Sequence, residues 1–591
     1  MGKLQATLRK ILTKAGPAES FAKKLSIPVQ IEPLDSATPP DASTVKKWII
    51  AFDAANSMAR GTNGVTYAET LINALQRSNR SDCLPDVRLQ IMGEYEKPFA
   101  YAMQSLDSRY LYLDFPITTQ AEQSFQLAAT LCREMAFGYK IAIVDSFTGS
   151  ANSHQARTKN SHSKSSANRS TAIGCACKHL TGLALRHAQI NRDWPDGIWA
   201  DFHALINIAA SDRTSDSQDH TTLCGLQHLT IEQQYACICA LYVMDQKKLK
   251  AENVRSLLVK LTRHADLIKL HSSPKLAYEK TGDKSSESNN SQSNIYSVGE
   301  HGAPLRQEFR LPLSGDTLLH FSLDTVIDKL TTEGDSDRLL HGCKRINRVE
   351  SRAPRSTSIN AETGLEKIHE IIKSAPPQEN NNAQYTNLAE LLTQQQIEAA
   401  TELQADMDLL EQTTPSSGTS SFQVENQSSN GFGLKWTGDG SCAVQAGELL
   451  AHKYRNTDNE VSWHLSIVRW LRSYADGTLR LGVQSLSRHT TAVDVVRWIN
   501  PQHETETPVE GLLINYRPID NKAKMLVLPL LKYKAGETVG YRDSDGFHMV
   551  KLIENVDIHA DYQCFATLEL EIETESAQPV SSNNGEYQVA V

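Results

Sequence analysis

The sequence predicts an α+β protein in which an N-terminal, all-α helical region is followed by a C-terminal antiparallel β-barrel with additional β strands. Two observations carry this. From residue 44 the apolar residues recur at helical spacing; over 65–75, Tyr67, Leu71, Ala74 and Leu75 fall on one face. From residue 432 onward the period shortens to the alternation of strands, punctuated by turn residues such as Asp476-Gly477. Strands at this interval suggest a closed barrel, because closure removes exposed edges.

The chain in order supports this division. Residues 1–46 form an N-terminal segment and linker: a short basic amphipathic helix over 4–15, interrupted by Gly16-Pro17, then a stretch through Pro39-Pro40-Asp41. That helix reads as a solvated, frayed terminus rather than a membrane contact. A helical domain occupies 47–145, with helices over 65–75, 88–103 and 119–139. Residues 146–171 are Ser, Asn, Lys and His with almost no apolar side chain, which predicts a disordered loop in which His154 and His162 are solvated. The helical domain continues over 172–271, with helices at 172–190, 199–210, 231–244 and 254–270. His203 lies in an apolar helical run without a serine, cysteine or carboxylate arrangement, so it reads as a hydrogen-bonded core histidine rather than a base.

Residues 272–304 form a second low-complexity linker, and 305–340 a strand-and-helix connection with a short run at 309–311 and a helix over 317–330. Residues 375–421 hold a Pro/Asn stretch and a long polar helix over 386–411, whose thin apolar stripe is either a partner surface or, the favoured reading, lies on the body of the protein. Strands over 432–436, 444–454, 462–474 and 478–486 build the barrel. Trp463 and Trp470 are an odd number of residues apart, so they face opposite sides unless a bulge intervenes. Runs at 512–515, 524–531, 537–541, 548–554 and 562–569 either extend the barrel or make a smaller second β module. The tail over 574–591 is polar and loose.

Composition narrows the function. A net charge of −9 with 40% hydrophobic residues describes a soluble globular chain and argues against a general nucleic-acid binder, which carries an overall basic footprint. No run of eighteen apolar residues occurs, and Arg9, Lys10 and Lys14 break up the N-terminus, so the expectation is a cytoplasmic protein without stable membrane insertion. The ten cysteines stand singly or as Cys175/Cys177 and Cys237/Cys239, too tight for CxxC zinc knuckles, and read as free thiols with no metal site. P-loop, HExxH and GxSxG motifs are absent from the sequence, which names no catalytic residue and predicts a protein that is not an enzyme.

Two short signals carry chemistry. Arg348-Val349-Glu350-Ser351-Arg352 lies inside a basic run that begins Lys344-Arg345, with Arg355 just beyond. A guanidinium can grip phosphate, take the O6/N7 edge of guanine bidentately and stack on a base, a combination lysine lacks. The second signal is Asn426-Gln427-Ser428-Ser429-Asn430-Gly431, leading into Phe432-Gly433-Leu434-Lys435-Trp436. Asn426 offers an acceptor and donors, Ser428 a hydroxyl, and Gly431 a backbone that permits a turn or a close approach. Together they describe a pocket for a phosphate-rich guanine nucleotide.

This order, RxxxR and then NxSxxG opening a strand, resembles the PilZ domain family, bacterial receptors for cyclic di-GMP. The resemblance implies that Arg348 and Arg352 meet guanine and phosphate groups while Asn426, Ser428 and Gly431 take the other side of the ligand. Between Arg352 and Asn426 lie 73 residues, so the intervening chain holds an insertion. Residues 358–369, a strand turning into a helix, resemble the FimW-type cyclic di-GMP receptors, as do blocks at 47–49, 95–98, 137–140 and 194–203. Lys344/Arg348 shares the arginine spacing, and Arg345 and Arg355 lie within reach; Arg348/Arg352 stands at the right distance from Gly364-Leu365 in that resemblance.

The resemblance therefore implies a PilZ-like barrel over 341–505 with a helical insertion at about 360–421, and an additional β module over 506–573. It also implies a cytoplasmic receptor for cyclic di-GMP, with no cofactor, that regulates surface attachment, type IV pilus function or motility through a protein partner. The alternative is a PilZ-like scaffold without ligand that acts as an adapter through its helical domain. The intact Arg348/Arg352 and Asn426/Ser428/Gly431 set favours the receptor.

Overall fold

The computed structural model describes residues 18–27, 41–55, 64–81, 83–152, 159–211, 229–244, 246–268, 270–271, 295–299, 305–306, 317–332, 353–354, 358–374, 420–428, 431–438, 442–455, 461–487, 490–497, 507–515, 524–530, 532–543, 546–558 and 561–570. The chain divides into two compact units, Met1–Leu113 with Ile117–Lys344, and Asp114–Pro116 with Arg345–Val591.

The first unit is helical: α1 (Ala18–Ala22), α2 (Ala42–Ala55), α3 (Gly64–Arg80), α4 (Pro85–Tyr110), α5 (Thr119–Asn152), α6 (Lys159–Gln189), α7 (Ile198–Ser211), α8 (Ile231–Val243) and α9 (Ala251–Arg263). α5 packs against α3, α4 and α6, and buries Phe125, Leu131, Met135 and Ile143. Its approach to α4 depends on Gly138, where a β-carbon would meet Met92 Sδ at 2.2 Å. Several charged groups inside the unit are paired. Lys140 Nζ donates to Asp201 Oδ2 at 2.7 Å, and Ser26 donates to both Asp201 oxygens. Glu96 accepts from Lys178 Nζ at 2.7 Å and from Tyr139 Oη at 2.8 Å, and its Oε1 lies 2.8 Å from His179 Nε2. Cys237 and Cys239 are buried on α8, and His203 is buried with its Nδ1 2.7 Å from Tyr235 Oη, the core role expected for this histidine.

Three segments of this unit differ from expectation. The predicted disordered loop is helical as far as Asn152 and again from Lys159. No proline stands between Pro116 and Pro195, and extending a helix already nucleated on a core requires only weak propensity. Residues 317–322 form a strand rather than the start of a helix. β4 (Thr317–Ser322) lies between β1 (Leu270–His271) and β2 (Ile295–Gly299), with β3 (Leu305–Arg306) on the far side of β2. β2 arises within the stretch read as a linker. Helix begins only at α10 (Asp324–Thr332), behind the buried Leu323.

The second unit contains two closed antiparallel barrels. The first uses β6 (Ser358–Thr363), β7 (Ser420–Ser428), β8 (Gly431–Trp436), β9 (Leu449–Arg455), β10 (Val461–Ser473) and β11 (Leu479–Ser487). The order β7-β6-β9-β10-β11-β8 closes through β7–β8, and β5 (Ala353–Pro354) continues beside β7. The turn at Asp476-Gly477 joins β10 to β11 as expected. Gly477 has φ +81°, and Asp476 Oδ1 accepts from Thr478 N at 2.9 Å. The runs from 512 to 569, left open between a barrel extension and a second module, form a closed barrel of their own together with residues 490–497, which the expected boundary at 505 assigned to the first barrel. Its order is β12 (Thr490–Arg497), β13 (Val509–Asn515), β14 (Lys524–Pro529), β17 (Tyr562–Leu570), β16 (Gly546–Ile558) and β15 (Thr538–Asp543), closing through β15–β12.

The strand-then-helix pattern at 358–369 is β6 followed by α11 (Leu365–Ser374), turned by Gly364 at φ +89°. α11 is wedged between the barrels. Leu365, Ile368 and Ile372 share one core with Leu449, Trp463, Leu465 and Ile467 of the first barrel and Leu512, Ile514, Met525 and Val527 of the second. Lys373 Nζ clamps the polar side by donating to Asp494 Oδ2 at 2.7 Å. The predicted helices over 4–15 and 386–411, the run at 309–311, the tail and the side chains of His154 and His162 lie outside the described residues.

Candidate nucleotide site

The Asn-x-Ser-x-x-Gly signal is a β-hairpin. Asn426 and Ser428 end β7, Gly431 opens β8, and Ser428 lies opposite Gly431, donating from Oγ to its carbonyl oxygen at 3.3 Å. The signal thus straddles the hairpin rather than standing wholly before a strand. A β-bulge between Val424 and Asn426 resets the side-chain alternation. Before it, Phe422 and Val424 point into the barrel with Leu434, Leu481 and Val483; after it, Asn426 and Ser428 stand on the outer face.

Two glycines explain how the face is built. A β-carbon on Gly431 would lie 1.9 Å from the carbonyl oxygen of Val483, so this glycine lets β8 approach β11. A β-carbon on Gly433 would lie 2.6 Å from Asn426 Oδ1, so the Asn426 amide rests over bare backbone. Gly431 therefore has a structural duty in the sheet that is independent of any ligand.

Register extends this face over two more strands. Asn426 lies opposite Gly433, Gly433 opposite Gly482, and Gly482 opposite Trp470. The next outward row is Lys435, Arg480 and Arg472, each directly across from its neighbour. Arg480 meets Glu425 at 3.0 Å, and Arg472 and Arg480 lie 4.9 and 5.7 Å from the Tyr474 ring. Of these residues, the sequence reading assigned only Asn426 to the site. Trp470 reaches this face because a bulge between Val468 and Trp470 shifts the alternation, so Trp463 and Trp470 share the outer face. Trp463 is buried under α11, and Trp470 is half-buried. The paired glycines of Gly431-Phe432-Gly433 were the one available signal, and only cross-strand register gives them meaning.

Arg345, Arg348, Arg352 and Arg355 lie outside the described residues. The chain between Arg352 and Arg355 is described, however. Ala353 lies opposite Gln427, and Pro354 opposite Asn426. The backbone of Ala353-Pro354, between Arg352 and Arg355 in sequence, is thus paired with the strand that carries Asn426 and Ser428.

Beneath this face the barrel interior is partly polar. His452 lies opposite His464, their rings 5.2 Å apart, and the Phe432 ring stands edge-on to His452 at 5.5 Å. Burial pushes the His452 imidazole down to about 4, so at neutral pH it is uncharged. Among the described residues, no group of three His, Cys, Asp or Glu side chains is arranged to hold a metal ion, and no helix is long and apolar enough to cross a membrane.

Residues 45–275 match the family described as cyclic-di-GMP receptor FimW, N-terminal domain, and residues 344–492 match its middle PilZ domain. The chain belongs with the FimW-like PilZ proteins. The two matches span nearly two thirds of it, and the second includes the arginine signal, the β7–β8 hairpin and all of the first barrel. It ends within β12, where the second barrel of this FimW-like chain begins. No curated protein and no solved structure matches the chain.

Proposed function

We propose that this FimW-like chain is a receptor that binds cyclic di-GMP on the outer face of its first barrel. Arg348 and Arg352 take guanine edges and phosphates, Asn426 and Ser428 take the opposite side, and Arg345 and Arg355 add positive charge. The pairing of Ala353-Pro354 with Gln427-Asn426 supports this reading, because Ala353 directly follows Arg352 in sequence and Asn426 belongs to the second signal. The match of residues 344–492 to a PilZ domain of a cyclic-di-GMP receptor supports the choice of ligand.

In this reading the protein acts by binding and not by catalysis, needs no cofactor, and works in the cytoplasm. Nucleotide occupancy changes its hold on a protein partner that governs surface attachment, type IV pilus function or motility. Calorimetric titration of the purified full chain with cyclic di-GMP, cyclic di-AMP and GTP tests the ligand. Selective binding of cyclic di-GMP is expected. Equal binding of the guanine and adenine dinucleotides, or no binding of either, overturns the reading.

A further inference from the structure

Resting on the nucleotide reading above, we propose that the site extends across β8 and β11 to β10, where Trp470 stacks against one base of the ligand and Lys435, Arg480 and Arg472 face its phosphates. Register provides the first support. Trp470 and Asn426 stand at the two ends of one cross-strand row with Gly433 and Gly482 between them. Three ladders at about 4.8 Å each give a span of about 14 Å, which a two-base ligand can bridge. No side chain rises from the two middle positions.

The indole is also held in place. A β-carbon on Gly482 would lie 2.0 Å from Trp470 Nε1 and 2.3 Å from Cε2, so the ring occupies the space that this glycine leaves. The sheet thus fixes the ring before any ligand arrives, while part of the side chain stays accessible. An aromatic ring fixed in advance loses little freedom on binding, and the face of every base can stack on it.

Charge provides the second support. Lys435, Arg480 and Arg472 lie directly opposite one another on adjacent strands, and like charges in that relation destabilise a sheet. Glu425 offsets Arg480 at 3.0 Å. A dianionic ligand laid beside the row would add to that offset, and this row stands next to the one holding Asn426 and Trp470. Stacking and phosphate contacts therefore fall on neighbouring rows of one face.

The test compares wild type, Trp470→Ala and Trp470→Phe by calorimetric titration with cyclic di-GMP, with tryptophan emission recorded at each step. Loss of the stacking ring should weaken binding about 10- to 100-fold in Trp470→Ala, whereas phenylalanine should hold affinity to within about threefold. Ligand should quench emission in wild type, and that quenching should be largely lost in Trp470→Phe. Unchanged affinity in Trp470→Ala, or full quenching in Trp470→Phe, overturns the proposal even where wild type binds. Failure of wild type to bind overturns both this proposal and the reading on which it rests. The Trp470→Phe comparison decides the matter alone if the alanine variant does not fold.

Discussion

Pro354 stands directly opposite Asn426 across the β5–β7 ladder. Lacking an N–H, Pro354 suits a two-residue strand at the end of a ladder. In sequence it stands between Arg352 and Arg355, and its own backbone is paired with the strand that carries the polar signal. Each good bidentate arginine–base contact contributes about 1–3 kcal/mol of discrimination. Arg352→Ala should therefore weaken cyclic di-GMP binding roughly ten- to hundredfold by calorimetry, and Arg352→Lys should restore little, because an ammonium cannot form the fork.

The two glycines of β8 should respond differently to alanine. At Gly433 the new methyl meets the end of the Asn426 side chain, which can turn aside. Gly433→Ala should lower ligand affinity while the melting temperature moves little. At Gly431 the methyl meets the Val483 carbonyl, which is backbone, 1.9 Å away. Gly431→Ala should cost stability at the scale of overpacking, about 1–3 kcal/mol or more, seen as an earlier denaturant midpoint. Equal effects on affinity and stability in both variants would contradict this division.

His452 predicts a loss of stability in acid. Its folded value of about 4 lies below the value of about 6.5 for an unfolded histidine. Between these limits the unfolded chain binds the extra proton, so stability falls as pH drops from about 6.5 to about 4 and is flat below. The total is of order 3 kcal/mol. His452→Phe should reduce the slope of denaturation free energy against pH across that window. His187, partly buried in the helical unit and also pushed down to about 4, would retain its own share.

Ile368 is fully buried in the core shared by α11 and both barrels. Ile368→Ala should destabilise by about 2–5 kcal/mol. Because the side chain touches one continuous core, β12–β17 and β6–β11 should lose amide protection together in hydrogen exchange. Loss confined to one barrel would show that the shared core does not couple them.

Local chemistry made part of this fold legible. Asp476-Gly477 announced its hairpin, and the apolar period announced α3, α7 and α8, because those signals sit within one element. Trp470 was not legible in the same way. Its face depends on a bulge that exists only relative to β11, so nothing in residues 461–473 alone decides it. β7 is polar along half its length and owes its strand state to pairing on both sides with β6 and β8. Residues 317–322 looked helical because Leu318, Leu319 and Phe321 also suit a helix, and their neighbours β1 and β2 decide otherwise. At the site, Asn426, Ser428 and Gly431 were legible as a motif, but the duty of Gly431 toward Val483 was not, since Val483 lies on a strand remote in sequence.

The wedge of α11 has a consequence for anyone who dissects this protein. Each barrel presents an apolar exterior wall where it meets the helix, formed by Trp463, Leu465 and Ile467 on one side and Leu512, Ile514 and Val527 on the other. A fragment cut at the boundary of the PilZ match would keep α11 on the first barrel but bare the apolar side that packs against the second, and would tend to clump. Expression trials should keep both barrels on one polypeptide, and a gene that loses either half loses the wrapping of the other.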